Sequence, residues 1–174
     1  ITTARKAAES SEQTPPIPGD TLDALASRLA RTADSDFDRA HAGLLDAWTH
    51  DYRGRVRDAV EAYQRVIQDP SSSAASLSGW GDAGAARPAW EIARLRLVDL
   101  LAREGYRPYE GFAAQAQREL AELGPQAIAT DLDALARRYP LARVSPDAFL
   151  RAADLWLAAN ESRKASAALG AALT

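Results

Sequence analysis

Apolar residues recur at steps of three and four along eight successive stretches of this chain, and Gly, Pro or Asn closes most of them. That spacing marks one face of an α-helix, and those residues are where helices stop. The apolar residues are also of the right kind: 39 Ala and 20 Leu stand against 5 Val and 5 Ile, so helix formers far outnumber the β-branched residues that favour strands. An all-α fold of about eight helices is expected and a sheet-based one is excluded. At 174 residues the chain is sized for one compact domain or a short repeat array.

Residues 1–19 mix Ala, Ser, Glu and Thr with three Pro and show no apolar period, which reads as a flexible leader or linker before a helical domain at 20–174. Asp20 can cap a first helix whose face is Leu22, Leu25, Leu29 and Ala33. A second starts near Ser35 and carries Phe37, Ala40, Leu44, Leu45 and Trp48. A third, from Arg55 to Gln68, turns Val56, Ala59, Tyr63, Val66 and Ile67 inward and stops at Asp69-Pro70. Residues 70–87 (PSSSAASLSGWGDAGAAR) form a long Ser, Gly and Ala stretch, read as a mobile loop and the main break in the array.

Beyond the loop, Pro88 opens a helix with a stripe of Trp90, Ala93, Leu97, Leu100 and Leu101, while Ile92 and Leu95 add a second apolar side, so this helix should be covered on two sides. Gly105 ends it. The next helix carries Tyr109, Phe112, Ala113, Ala116, Leu120 and Leu123, and another presents Ile128, Leu132, Leu135 and Tyr139 before Pro140. Ser145-Pro146-Asp147 is a strong helix start. The last two helices turn at Asn160, and short turns throughout imply antiparallel packing of sequential neighbours.

In that last hairpin, Phe149-x2-Ala152-Ala153-x2-Trp156 is followed by Asn160 and by Ala165-x3-Leu169 with Ala172. This resembles the tetratricopeptide repeat, W-x2-L-G-x2-Y followed by A-x3-F. Small residues at Ala153 and Ala165 let two helix backbones approach, and Asn160 suits a left-handed turn. Gly54, Ala59-x3-Tyr63 and Pro70 resemble the turn, second helix and closing Pro of an earlier unit, although its first helix must pack in a shifted register through Leu44, Leu45 and Trp48 because Gly43, Asp46 and His50 occupy the expected apolar positions. The middle unit keeps Trp90-x2-Ala93 and Leu97, but Arg94 stands at its small-residue position, so the crossing there should be looser. Gln126 through Tyr139-Pro140 to Pro146-Asp147-Ala148 resembles the long-loop repeats of bacterial cell-envelope proteins, and Glu104-Gly105-Tyr106 to Tyr109-Glu110-Gly111-Phe112 is similar to helical regions attached to PQQ-like β-propeller proteins. The resemblance covers about residues 36–174. It implies an α-solenoid of antiparallel helical hairpins, a place in the bacterial envelope or periplasm with the cytoplasm as the alternative, and a propeller or enzyme domain adjoining in a longer protein. A chain starting at Ile1 and holding no Met is itself expected to be a fragment or processed product.

Motifs for chemistry are sparse. There is no Cys and there are only two His, so thiolate sites and Cys nucleophiles are out and zinc has little to hold it. Gly79-Trp80-Gly81-Asp82-Ala83-Gly84 matches G-x-G-x-x-G but lacks the strand that a dinucleotide turn needs before it. Asp34-Ser35-Asp36-Phe37-Asp38 imitates a calcium loop, yet Arg39 and Leu45 replace the required Gly and Glu, so helix capping explains the cluster. His41 and His50 fall on opposite sides of one helix and cannot share a metal. No P-loop, G-x-S-x-G or H-E-x-x-H occurs. Arg supplies 19 of the 21 basic residues, but a net charge of -3 argues against nucleic acid as partner. No run nears the roughly 18 apolar residues of a membrane span.

The expectation is therefore a non-enzymatic scaffold without cofactor or metal that binds a peptide or protein segment, since stacked helix pairs offer a concave surface. By the resemblance, Glu91, Leu95 and Val98 of the middle unit and Leu150, Asp154 and Leu157 of the last would face that groove, with Trp80 in the long loop as a further contact. The alternative of a different class is an accessory domain that positions an adjoining propeller or cell-wall enzyme. A third is a small ligand held near Trp90 and Trp156.

Overall fold

The computed structural model describes residues 19–71, 73–80 and 85–173. The leader expected at 1–19 lies almost entirely outside them, as do Gly81 to Gly84 of the glycine motif. The described residues form eight α-helices: α1 Gly19–Thr32, α2 Asp36–Tyr52, α3 Val56–Gln68, α4 Ala89–Glu104, α5 Glu110–Leu123, α6 Ala129–Arg138, α7 Ser145–Ala158 and α8 Ser162–Ala172. A 3-10 turn, Arg107–Tyr109, leads into α5. The fold is all-α except for two strands of two residues, β1 Ser76–Leu77 and β2 Arg87–Pro88, paired antiparallel with Leu77 opposite Arg87.

Local chemistry places the helix ends. Ser35 caps α2 in a reciprocal box: its Oγ accepts from the Asp38 amide at 3.1 Å, and the Asp38 carboxylate accepts from the Ser35 amide at 3.3 Å. The acidic cluster at 34–38 thus acts as a helix start. Gly105 and Gly124 follow α4 and α5 with φ of 82° and 66°, and Asn160, between α7 and α8, has φ 60°. Asn160 is the single described non-glycine residue with positive φ, in the left-handed turn its short amide tolerates.

The closest partners are α7 with α8 and α2 with α3. Between α7 and α8 the crossing is made by Ala152, Ala153, Ala165 and Ala168, all buried, as the small-residue pattern implies. Between α2 and α3 the fit is tight at Gly43, where a Cβ would sit 2.8 Å from Val66 Cγ2. Gly43→Leu is expected to destabilise the fold by about 2 kcal/mol, because overpacking at a fixed helix crossing typically costs 1–3 kcal/mol. Urea unfolding followed by helical circular dichroism checks this, with an unchanged midpoint as the contrary result.

Several expectations need correcting. α1 packs through Leu22 and Ala26 and leaves Leu25 exposed, so its buried face is rotated from the one read from spacing. Phe37 and Ile128 are also exposed. On α4, Ile92 joins Ala89, Ala93, Leu97, Leu100 and Leu101 in the core, whereas Leu95 remains 36% exposed, so the helix is not fully covered on its second side. The described residues of the 70–87 stretch make some contacts with the helices: the Trp90 amide donates to the Ser73 carbonyl and the Ala89 amide to the Ala75 carbonyl, both at 2.9 Å, and Leu77 is buried.

The largest departure concerns α4 and α5, which do not pack as a hairpin. α2 packs on α3, α3 on α4, and α2 lightly on α4; α6, α7 and α8 then form a second consecutive stack. α5 lies against the 3-10 turn and, loosely, against α6. The physical reason is at the turn. Tyr109 is fully buried and its hydroxyl donates to Gln64 Oε1 of α3 at 3.0 Å, while Tyr106 donates to the Leu141 carbonyl at 2.9 Å. The chain after Gly105 is therefore drawn toward α3 and the α6–α7 connection, and Ala116 is the only fully buried residue of α5.

Candidate functional site

A cleft of about 260 Å³ opens between the two stacks. Its first wall is the end of α3 and the start of α4. Ile67 and Gln68 come from the last turn of α3, which Asp69-Pro70 terminates, and the Asp69 carboxylate turns the chain by accepting the Ser71 amide at 3.0 Å. Trp90 and Arg94, one turn apart on α4, belong to the same wall, and the Trp90 amide donates to the Ser73 carbonyl. The second wall is α6, which offers Ala134, Arg137 and Arg138 at the i, i+3, i+4 spacing of one helix face. Pro140, Phe149 of α7 and Ala171 of α8 complete it.

The guanidiniums are held in defined positions. Arg137 grips Asp133 with two bonds, 2.7 Å from Nε and 3.2 Å from Nη2, and its charge lies 5.7 Å from the Phe149 ring centre. Arg138 bonds Glu119 of α5 at 3.0 Å. Glu119 also accepts from the Tyr139 hydroxyl at 2.7 Å and from Gln115 at 3.0 Å. Burial alone would raise the Glu119 carboxyl, but these donors outweigh it and hold the group below its ordinary value. The backbone carbonyl of Arg138 accepts from the Gln64 amide, so one residue supplies a cleft charge and anchors α6 to α3.

No protein-family model, curated protein or solved structure matches the chain.

The site is therefore read from its own geometry. Among the described residues that line the cleft, three are Arg and none is Asp or Glu, around a floor of Ile67, Trp90, Pro140 and Phe149. Such a lining can hold an apolar group and satisfy anions beside it. No group of three His, Asp or Glu able to bind a metal occurs among the described residues.

The groove residues expected from the sequence fall elsewhere. Leu95 and Val98 are exposed on α4, and Glu91 beside them pairs with Arg87 at 3.2 Å. Leu150, Asp154 and Leu157 lie exposed on α7. The two sets are not joined by close packing of α4 on α7, because α3 and α6 stand between. Trp80 is half-buried; its indole N–H donates to His41 Nδ1 of α2 at 3.3 Å. Trp156 is outside the cleft, with Lys164 Nζ 4.5 Å from its ring centre. A second hollow between α2 and α4 contains Trp48, Tyr52 and two Arg with two Asp, and Asp51 already binds Arg103 at 2.8 Å, so its charges balance internally. The missed residues carry one signal in the sequence: Arg94 stands where a close helix crossing would require a small side chain, and it faces the cleft.

Proposed function

We propose that this chain is an interaction module of tetratricopeptide type, an α-solenoid interrupted after α4, which grips a segment of another protein in the cleft between its two stacks. The observation that carries this reading is the composition of that cleft, an apolar floor of Ile67, Trp90, Pro140 and the largely buried Phe149 beside three arginines. Aromatic side chains and Arg are the residues that dominate binding energy at protein interfaces. The volume, about 260 Å³, falls below the roughly 300–1,000 Å³ of most small-molecule sites and suits one or two side chains of an extended segment. The order of packing also supports the repeat reading: α2 on α3, α3 on α4 and α2 touching α4 is how one helical hairpin meets the next, and α7 with α8 repeats the alanine crossing.

A display selection of random peptides on the folded domain tests it. Ala134 is exposed on the cleft wall, so Ala134→Trp fills the cleft without disturbing the core. Selected peptides should lose at least about tenfold in affinity on that variant, or about 1.4 kcal/mol, with the unfolding midpoint unchanged. Peptides that bind Ala134→Trp normally but fail on Leu95→Asp or Leu157→Asp would move the site to the exposed faces of α4 and α7.

A further inference from the structure

The hollow between α2 and α4, about 430 Å³, shares no residue with the cleft between the stacks. Its α2 wall is Trp48, Asp51 and Tyr52, at the i, i+3, i+4 spacing of one helix face. The two rings stack with centres 5.4 Å apart and planes at 26°, and Tyr52 stays 50% exposed. The pair forms a flat apolar platform that ends in a phenol hydroxyl. The α4 wall is Arg96, Asp99 and Arg103, again three and four residues apart, so it presents donor, acceptor and donor in a row. Arg103 gives Nη2 to both oxygens of Asp51, at 2.8 and 3.1 Å, which ties the two walls together. Asp99 is exposed, and its carboxylate makes no ion pair or hydrogen bond among the described residues. Arg96 has one hydrogen bond, 3.5 Å from Nη2 to the Trp80 carbonyl, which leaves its remaining N–H groups unspent.

Charge decides what such a hollow accepts. Two Arg and two Asp sum to zero, so an ion of either sign is attracted by one neighbour and repelled by the next. A nucleotide phosphate, for one, would meet Asp51 and Asp99. A neutral group that both donates and accepts meets no such conflict, and hydroxyls do both. A pyranose ring combines these requirements: its C–H face is flat and apolar, and its neighbouring hydroxyls can bond a carboxylate and a guanidinium side by side. The volume lies within the roughly 300–1,000 Å³ of small-molecule sites. We infer that the hollow between α2 and α4 binds a neutral glycan, one sugar ring resting against the Trp48–Tyr52 stack with its hydroxyls bonded to Asp99 and Arg96. The site is independent of the cleft and of the peptide reading given to it.

Amide NMR of the isotope-labelled chain, titrated with neutral trisaccharides of glucose, mannose, galactose and N-acetylglucosamine, tests the inference. At least one should bind saturably, with Kd on the order of 1 mM or tighter and its largest shifts at Trp48, Tyr52 and Asp99. Tyr52→Ala and Asp99→Ala should each weaken that binding at least about tenfold with the melting temperature unchanged, because both side chains are exposed. Sodium chloride should leave the affinity as it was, since the ligand carries no charge. Ala134→Trp, which fills the cleft, should also leave it as it was, so the two sites succeed or fail separately. No saturable shift from any of the four sugars would overturn the inference, as would binding that survives both alanine variants. Tighter binding of adenosine monophosphate or of a proline decamer at the same amides would also overturn it, by assigning the hollow to a nucleotide or to a protein segment.

Discussion

Replacing Gln64 with Ala should destabilise the fold by about 3 kcal/mol, a large share of the roughly 5–15 kcal/mol that holds a domain of this kind together. Gln64 is wholly buried on α3. Its carbonyl oxygen accepts from the Tyr109 hydroxyl at the entrance to α5, and its amide donates to the carbonyl of Arg138 at the end of α6. Helix ends leave carbonyls without an internal partner, so this side chain satisfies one that would otherwise be stranded. Truncation removes both bonds, strands two polar groups at about 1–3 kcal/mol each, and leaves a cavity. Tyr109→Phe alone should cost about 1 kcal/mol. The double variant separates the contributions: with the hydroxyl gone, Gln64→Ala strands one group fewer, so the pair should cost less than the sum of the singles. Urea unfolding of the four proteins measures this, and strict additivity would show that the two side chains do not act as a unit.

Raising the pH beyond about 11 should unfold the protein cooperatively. Tyr63, Tyr109 and Tyr139 are buried, and burial raises the pKa of each above the ordinary 10.0. For Tyr139 the bond to Glu119 adds to burial and pushes the group up to about 12; for Tyr63 the nearby Asp51 charge adds to it. In the unfolded chain all three ionise near 10. The folded state therefore prefers the neutral phenols, and the stability they contribute is complete below pH 10 and drains away as the pH climbs toward and past the folded values. Each group contributes about 1.4 kcal/mol per pH unit in that window, so three together remove about 4 kcal/mol per unit. Near-ultraviolet tyrosinate absorbance and far-ultraviolet circular dichroism, read together, check it. Tyr63, Tyr109 and Tyr139, joined by Tyr106, which burial also raises, should ionise in one step with loss of helix, and ionisation of all five tyrosines with the helices intact would contradict it.

The helices were legible because their signals are local. Apolar spacing, the Ser35 box, Gly105, Gly124 and the left-handed turn at Asn160 act within a few residues of themselves. Burial was legible only in part. The period of α1 allows either Leu25 or Ala26 on the inner face, and only the position of α2 selects Leu22 with Ala26. The paired strands escaped because Leu77 is a lone apolar residue in a Ser and Ala run, too short for any alternation to register. Trp90 has the spacing of a core residue, and spacing cannot say that it stays half-buried at the cleft while Phe149 is buried. Gln64 gave no signal at all, since a glutamine beside a helix stripe looks the same whether it faces water or reaches two other elements. Arg94 was the one legible mark of the cleft, as a long cation where the crossing wanted a small residue.

Arg138 belongs to both the brace and the seat, its carbonyl turned to Gln64 and its guanidinium to the cleft rim, and Gln68 of the rim is one helical turn beyond Gln64. Folding free energy and affinity are thereby linked quantities. Whatever settles in the cleft adds its binding free energy to the native state, so a saturating occupant raises the melting temperature and slows amide exchange along α3 and α6 first. Loosening the Gln64 brace should work in reverse, with the jaws fluctuating, the seat no longer preformed, and the loss appearing chiefly as faster dissociation.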